Sequence, residues 1–306
     1  MRIEVLGAGS WGTALATLLV RNGHSVRLLG RRRDDLAALA STHENARYLP
    51  GFALPDALEF GHIEEASEAD LHVVAVPSSA VRSVCTEIRG VCKVAVLAAK
   101  GLEPGTGLLV SEAAAASLAT DRIGALSGPN LATEIARGIP TAAISAFPAE
   151  EDAQTVRLAF SNPRFRVYAS GDVIGVELSG ALKNVLAIGA GMSDGLGFGN
   201  NTKGAFLARG LKEMAQLGMA LGARQDTFLG IAGVGDLFAT AASNLSRNYR
   251  VGLSVGRGKP LADALAEIGQ VAEGVETSHA AMALSGRNGV KMPVFEAIHR
   301  VLRGEI

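Results

Sequence analysis

IEVLGAGSWGTALATLLVRNGHSVRLLG, residues 3–30, sets two short apolar runs on either side of a helical one. IEVLG (3–7) and SVRLLG (25–30) read as strands, and WGTALATLLVRN (11–22) carries its apolar residues at helical spacing. Between the first strand and the helix stands GAGSWG (7–12), a G-x-G-x-x-G that follows a strand and opens a helix. In that setting Gly7 permits the tight turn, Gly9 lets a pyrophosphate approach the backbone, and Gly12 packs helix on strand. The helix N-terminus adds N–H donors and a positive dipole end for the phosphates.

Outward from this unit the first half keeps alternating strands and helices. LHVVAV (71–76), KVAVLA (93–98), ALS (125–127) and TAAISA (141–146) are further strands, several almost wholly apolar, and RFRVY (164–168) suits an edge strand. Apolar strands between helices predict a parallel sheet covered on both faces. Near residue 175 the pattern changes to long helical runs, at 175–192, 203–221, 261–268, 274–286 and 293–303. The expected architecture is an α/β N-terminal Rossmann domain, doubly wound with a mostly parallel sheet, over 1–177, and an all-α domain over 178–306.

Composition narrows the function. The chain has 306 residues, 48% hydrophobic and 19% charged, enough apolar material for two packed cores. A net charge of −1 gives no field that would favour nucleic acid or an anionic membrane, so neither is expected as a partner. Cys85 and Cys92 make neither a metal spacing nor a disulfide framework, which points to a reducing cytoplasm and to no metal. The glycine-interrupted start resembles no signal peptide.

After the second strand come Arg31, Arg32 and Arg33, with no acid before Asp34. An acid near this place would favour the free ribose hydroxyls of NAD; guanidinium forks suit a 2′-phosphate instead. The expected cofactor is NADP(H), with NAD(H) not excluded.

Three charges stand alone in apolar, glycine-rich settings. Lys183 is the one charge between Glu177 and Asp194, Lys100 between Lys93 and Glu103, and Asp236 between Asp226 and Arg247. Lys100 ends an apolar run, where ligands of doubly wound sheets bind. On its helix Lys183 shares a face with Ser179, Ala187 and Ala190, small residues read as clearance for a ligand. Desolvation would lower the lysine's pKa into a range useful for proton transfer, and Asp236 is the natural partner to orient it. Downstream, NLSRNYR (244–250) gathers Ser246, Arg247, Asn248 and Arg250, donors that suit a phosphate or carboxylate. A snorkelling lysine and a polar helix cap are the structural alternatives for these features.

The ordered segments GAGSWGTALA (7–16), HENARYLPG (43–51), VPSSAVRSV (76–84), KGLEPGTG (100–107), SGPNLATE (127–134), ELSGALKNVLAIGAG (177–191), DGLGFGNNTKGAF (194–206), GVGDLFAT (233–240), NLSRN (244–248) and VAEGVET (271–277) resemble the bacterial NAD(P)-dependent glycerol-3-phosphate dehydrogenases over nearly the whole chain. The resemblance implies a Rossmann domain, a helical domain and an active site between them. It implies interconversion of glycerol 3-phosphate and dihydroxyacetone phosphate, supplying phospholipid synthesis. The abundant apolar residues of the helical second domain lead to the expectation of a homodimer. By motif, Lys183 becomes the general acid/base, Lys100 a contact to substrate and nicotinamide, and Asp236 a support for both lysines and for the substrate hydroxyls. Gly128 and Asn130 would line the substrate site, and Ser246, Arg247 and Asn248 would hold the substrate phosphate. Gly7, Gly9, Ser10, Trp11, Gly12, Arg31, Arg32, Tyr48, Ala132, Val271 and Glu273 would line the cofactor site, with Lys100 and Arg247.

Two departures stand out. Asn130 and Leu131 replace a usual hydroxyl and aromatic, and FATAAS (238–243) lacks a Cys-Thr pair common in relatives. The chain is also short for the family, so a trimmed C-terminal helix is expected. A 3-hydroxyacid or 6-phosphogluconate-type dehydrogenase shares the plan and a lysine, but not the ordered motifs. A nucleotide sensor without turnover would have no use for three lone charges.

Overall fold

A computed structural model describes residues 1–89, 91–269 and 271–306, and they divide into two compact units. The first is Met1–Ala99 with Val110–Val173; the second is Lys100–Leu109 with Ile174–Ile306. The excursion at Lys100–Leu109, which takes Lys100 into the second unit, has no counterpart in a simple cut at 177.

In the first unit the strands are β1 (Arg2–Leu6), β2 (Ser25–Gly30), β3 (Glu44–Asn45), β4 (Leu49–Ala53), β5 (Leu58–His62), β6 (Leu71–Val74), β7 (Ala95–Leu97), β8 (Ile123–Ser127), β9 (Thr141–Ala146) and β10 (Phe165–Ser170). Eight of them form one sheet in the order β10-β9-β8-β7-β6-β1-β2-β5; β3 and β4 pair separately. Every neighbouring pair in the large sheet is parallel except β8–β9. From β5 to β8 the order is that of a dinucleotide-binding sheet, with its reversal between β1 and β6. Ile3 of β1 pairs with Val26 on one side and Leu71 on the other.

All residues of β6 and β8 are buried, as strands covered on both faces must be. The half-exposed β5, with Glu59 and Gly61 among its residues, gave no apolar run and was not anticipated. Glu4, in the middle of β1, is buried, and its carboxylate takes Arg27 at 2.8 Å and the Ser67 N–H at 2.9 Å. That pairing removes the cost of a charge in the sheet's centre.

The second unit is helical. Its central element, Val173–Gly195, is 23 residues long, and nearly all of Gly175–Ser193 is buried. Length and composition would let it cross a membrane; its burial inside the protein makes it a core helix. Its Leu186 shares one buried cluster with Met214, Phe228, Val251 and Phe295 from the surrounding helices.

The helix Arg247–Gly256 was absent from the sequence reading, because it is short and largely polar, with two arginines and two glycines in ten residues. Those glycines have a reason. A Cβ at Gly252 would stand 1.8 Å from the Ile188 carbonyl oxygen, and one at Gly191 would stand 2.1 Å from that of Tyr249. The two helices touch backbone to backbone. Ser179, Ala187 and Ala190 are likewise fully buried. The small residues on the central helix therefore serve close packing, and the expectation that they leave clearance for a ligand is corrected.

Candidate active site

Three segments of the second unit bring the lone charges together. Lys183 projects from the central helix. Lys100 opens the excursion, and Asn184, beside Lys183, donates its Nδ2 to the Lys100 carbonyl at 3.1 Å, fixing the backbone there. Asp236 starts the helix Asp236–Ala241, directly after a π-helical turn at Ile231–Gly235. That turn needs Gly233, whose Cβ would meet the Phe228 carbonyl oxygen at 1.9 Å.

The carboxylate of Asp236 serves both lysines. Oδ2 accepts from Lys100 Nζ at 2.7 Å, and Oδ1 accepts from Lys183 Nζ at 2.9 Å. Thr240, one turn after Asp236, accepts from Lys183 Nζ at 2.7 Å and donates to Asp236 Oδ1 at 3.1 Å. Asp236 is 2% exposed and Lys183 5%. Lys183 thus has two of its three donor directions filled, by an anion and by a hydroxyl whose own proton is committed.

Burial pushes Lys183 down from the usual lysine value. Asp236 opposes the shift, Lys100 adds to it, and the balance leaves the ammonium titrating at about 8. For Asp236, burial would raise the carboxyl, but the two ammoniums outweigh it and hold it below the usual carboxylate range. Glu273 contributes a favourable charge to Lys183. A buried amine poised near neutrality, oriented by an ionised carboxylate, is equipped to give or take a proton.

Thr240 and Asn184 were missed by sequence reasoning. The Asp236–Thr240 spacing places both on one helix face and could have signalled the threonine. Asn184 sits next to Lys183, within a motif already singled out.

The predicted anion cluster lies in the same unit. Ser246 caps the helix Arg247–Gly256, its Oγ accepting from the Tyr249 N–H at 3.2 Å. Arg247 is exposed at the first turn, while Asn248 is buried and its Oδ1 accepts from the Gly274 N–H at 3.0 Å. Among the described residues no side chain or carbonyl takes the Asn248 Nδ2 or the Arg247 guanidinium, donors of a kind that suits an anion. Val271 is exposed and Glu273 half-buried at the start of the helix Glu273–Arg287.

In the first unit the dinucleotide loop fits its assignment. Gly7 has φ +122° and a Cβ there would stand 2.5 Å from the Ala75 carbonyl oxygen; a Cβ at Gly12 would stand 1.9 Å from that of Gly7. Around Gly9 a Cβ would meet nothing within 4 Å. The helix Ser10–Arg21 starts at Gly9 with no side-chain cap, so its first N–H groups are free of a capping side chain. Turn, packing and open face are what a pyrophosphate requires, and the residues present fit such a cofactor. Asn45, also missed, donates to the Ala8 carbonyl at 3.0 Å and to Thr13 Oγ1 at 2.7 Å, pinning the loop. Tyr48 follows on the same β3–β4 hairpin, with the Arg47 guanidinium 5.2 Å from its ring centre. Trp11 donates to the Ala98 carbonyl at 3.1 Å, just beyond β7. Ala132 opens the short helix Ala132–Ala136.

Gly128 and Asn130 belong to the loop after β8. Gly128 has φ +144°, and Asn130 gives its Nδ2 to the Ala142 carbonyl at 3.1 Å while its buried Oδ1 has no partner. Among the described residues the asparagine therefore keeps an unfilled acceptor. Among the described residues no group of three or more His, Cys, Asp or Glu side chains could hold a metal ion.

Known proteins match this chain throughout. A family model described as NAD-dependent glycerol-3-phosphate dehydrogenase N-terminus matches residues 2–153, and the corresponding C-terminus model matches 172–306. A glycerol-3-phosphate dehydrogenase [NAD(P)+] of Pseudoalteromonas translucida is 46% identical over 308 residues, covering 98% of this chain and 92% of its own. That of Geobacillus kaustophilus is 46% identical over 309 residues, covering 98% and 90%. The crystal structure of the Coxiella burnetii glycerol-3-phosphate dehydrogenase superposes with a TM-score of 0.94 at 37% identity, over 100% of this chain and 95% of that one.

Proposed function

The chain belongs to the NAD-dependent glycerol-3-phosphate dehydrogenases, and from that premise we propose that Lys183 moves the proton in the reversible reduction of dihydroxyacetone phosphate to sn-glycerol 3-phosphate. It is an NAD(P)-dependent oxidoreductase with a Rossmann domain for its cofactor. The observation that carries the proton assignment is the buried Asp236 carboxylate holding Lys183 and Lys100 on its two oxygens.

Bound NAD(P)H supplies the hydride for the ketone carbon, and NAD(P)+ accepts it in reverse. As negative charge grows on the substrate's C2 oxygen, the Lys183 ammonium donates a hydrogen bond and then its proton. Lys100 holds a second positive charge on the same carboxylate and steadies that oxygen. In the oxidation, neutral Lys183 takes the hydroxyl proton. Arg247 and Asn248 bind the substrate phosphate, with Ser246 shaping the helix start that presents them. Gly128 and Asn130 complete the substrate's surroundings. Gly7, Gly9, Ser10, Trp11 and Gly12 hold the pyrophosphate side of the cofactor, with Tyr48, Ala132, Val271 and Glu273 as further contacts. The loop that carries Arg31 and Arg32 receives the 2′-phosphate end of NADP(H).

We further infer that the product feeds phospholipid synthesis in the cytoplasm and that the enzyme is a homodimer. What supports the dimer is apolar surface left exposed on the second unit, at Leu196, Phe198, Leu229, Phe238 and Leu245.

The pH dependence of kcat/KM in the two directions tests the proton assignment. Oxidation should climb through about 8 and level off, as Lys183 becomes neutral, and reduction should fall through the same region. Parallel profiles in both directions would refute it.

A further inference from the structure

Of the three consecutive arginines after β2, we propose that Arg31 alone sets the preference for NADP(H), and that Ser83 and His62 are the residues that position it. The inference rests on the reading of this loop as the 2′-phosphate site and deepens it.

The partners of the arginines differ in kind. Arg32 lies 3.2 Å from Asp35, Arg33 lies 3.5 Å from Glu64, and Arg47 nearby lies 3.7 Å from Asp35. Each of these cations already faces a carboxylate. Among the described residues Arg31 pairs with no acid; its NH2 donates to Ser83 Oγ at 2.8 Å. A neutral partner fixes the guanidinium and leaves its charge for a phosphomonoester, which it can meet through two parallel N–H groups.

Ser83 is set to do this. Its hydroxyl proton goes to the Ala80 carbonyl at 3.0 Å, so the oxygen turns a lone pair to Arg31. The backbone of Arg31 is held from the other side. His62, at the end of β5, lies with Nε2 3.0 Å from the Arg31 carbonyl oxygen. Since a carbonyl only accepts, Nε2 carries the proton. Nδ1 lies 3.4 Å from the Glu64 N–H and 3.2 Å from Glu64 Oε2. β5 and β2 run parallel with Gly30 opposite His62, which places the imidazole beside the residue after the strand. One arginine is thus clamped at its carbonyl and at its tip. This gives VPSSAVRSV a role that the reaction itself left unassigned.

Clamping lowers the entropy lost when the long side chain binds an anion. Loss of this bond to a neutral partner should therefore weaken NADPH by about threefold to tenfold.

Steady-state kinetics on the full chain, with NADPH and with NADH, test this. Ser83→Ala should raise the ratio of KM for NADPH to KM for NADH by that factor, in KM rather than in kcat, and Ser83→Thr should restore it. His62→Ala should move the ratio the same way. Arg31→Gln should move it furthest, and Arg32→Gln little. If Arg31→Gln shifts both cofactors alike, the 2′-phosphate reading of this loop fails, and the proposal with it. If Arg31→Gln discriminates while Ser83→Ala and His62→Ala leave the ratio unmoved, the positioning roles alone are overturned.

Discussion

Lys183 Nζ lies 2.9 Å from Asp236 Oδ1, and the other oxygen of that carboxylate holds Lys100 Nζ at 2.7 Å. One buried anion therefore orients two cations, and it keeps the more buried one from losing its proton too early. Without Asp236, desolvation and the like charge of Lys100 would act on Lys183 with far less opposition, the charge of Glu273 among what remains.

Asp236→Asn should lower kcat by about 10²–10⁴-fold, the usual weight of a positioned acid–base group. The sign of its pH effect is fixed as well. Asp236 raises the pKa of Lys183, so its neutral replacement should move the limb for glycerol 3-phosphate oxidation below about 8. A pH series of kcat/KM in wild type and variant measures the displacement; an unmoved limb would contradict the coupling.

Thr240→Val keeps shape and removes the hydroxyl that accepts from Lys183 and donates to Asp236. Both partners then lose a bond inside a buried cluster, and kcat should fall roughly tenfold. NADPH affinity, measured by fluorescence titration, should stay at the wild-type value.

Arg247→Ala removes an exposed guanidinium from the helix start assigned to the substrate phosphate. Loss of a charge-assisted bond should raise KM for dihydroxyacetone phosphate by roughly tenfold to a hundredfold. Inorganic phosphate, as a competitive inhibitor, should weaken in parallel.

Glu213 gives a prediction about stability alone. Its buried carboxylate accepts the Val294 N–H at 2.9 Å and the Phe295 N–H at 3.3 Å, at the start of the helix Pro293–Leu302. Glu213→Ala strands those donors and should cost about 1–3 kcal/mol. A lowered thermal midpoint with kcat preserved below the transition is the expected result.

Much of this was legible in the chain. The strand–GAGSWG–helix unit announced the dinucleotide fold because glycine spacing, strand and helix are all local features. The three lone charges were legible because an unpaired charge in an apolar run demands a partner. What escaped was of another kind. β5 escaped because an edge strand needs no apolar run, and the helix Arg247–Gly256 because Gly252 and Gly256 are shaped by contact with a distant helix. Thr240 and Asn184 act through hydrogen bonds across segments far apart in sequence. Ala187 and Ala190 misled: smallness alone cannot say whether a ligand or a neighbouring helix fills the space.

The proton role proposed for Lys183 rests on a single amine. Lys183→Ala tests it most directly, with turnover of dihydroxyacetone phosphate and NADPH binding measured on the same preparation. kcat should fall by about 10²–10⁴-fold, with the dissociation constant for NADPH within a few-fold of wild type. Turnover within about tenfold of wild type in that variant would contradict it.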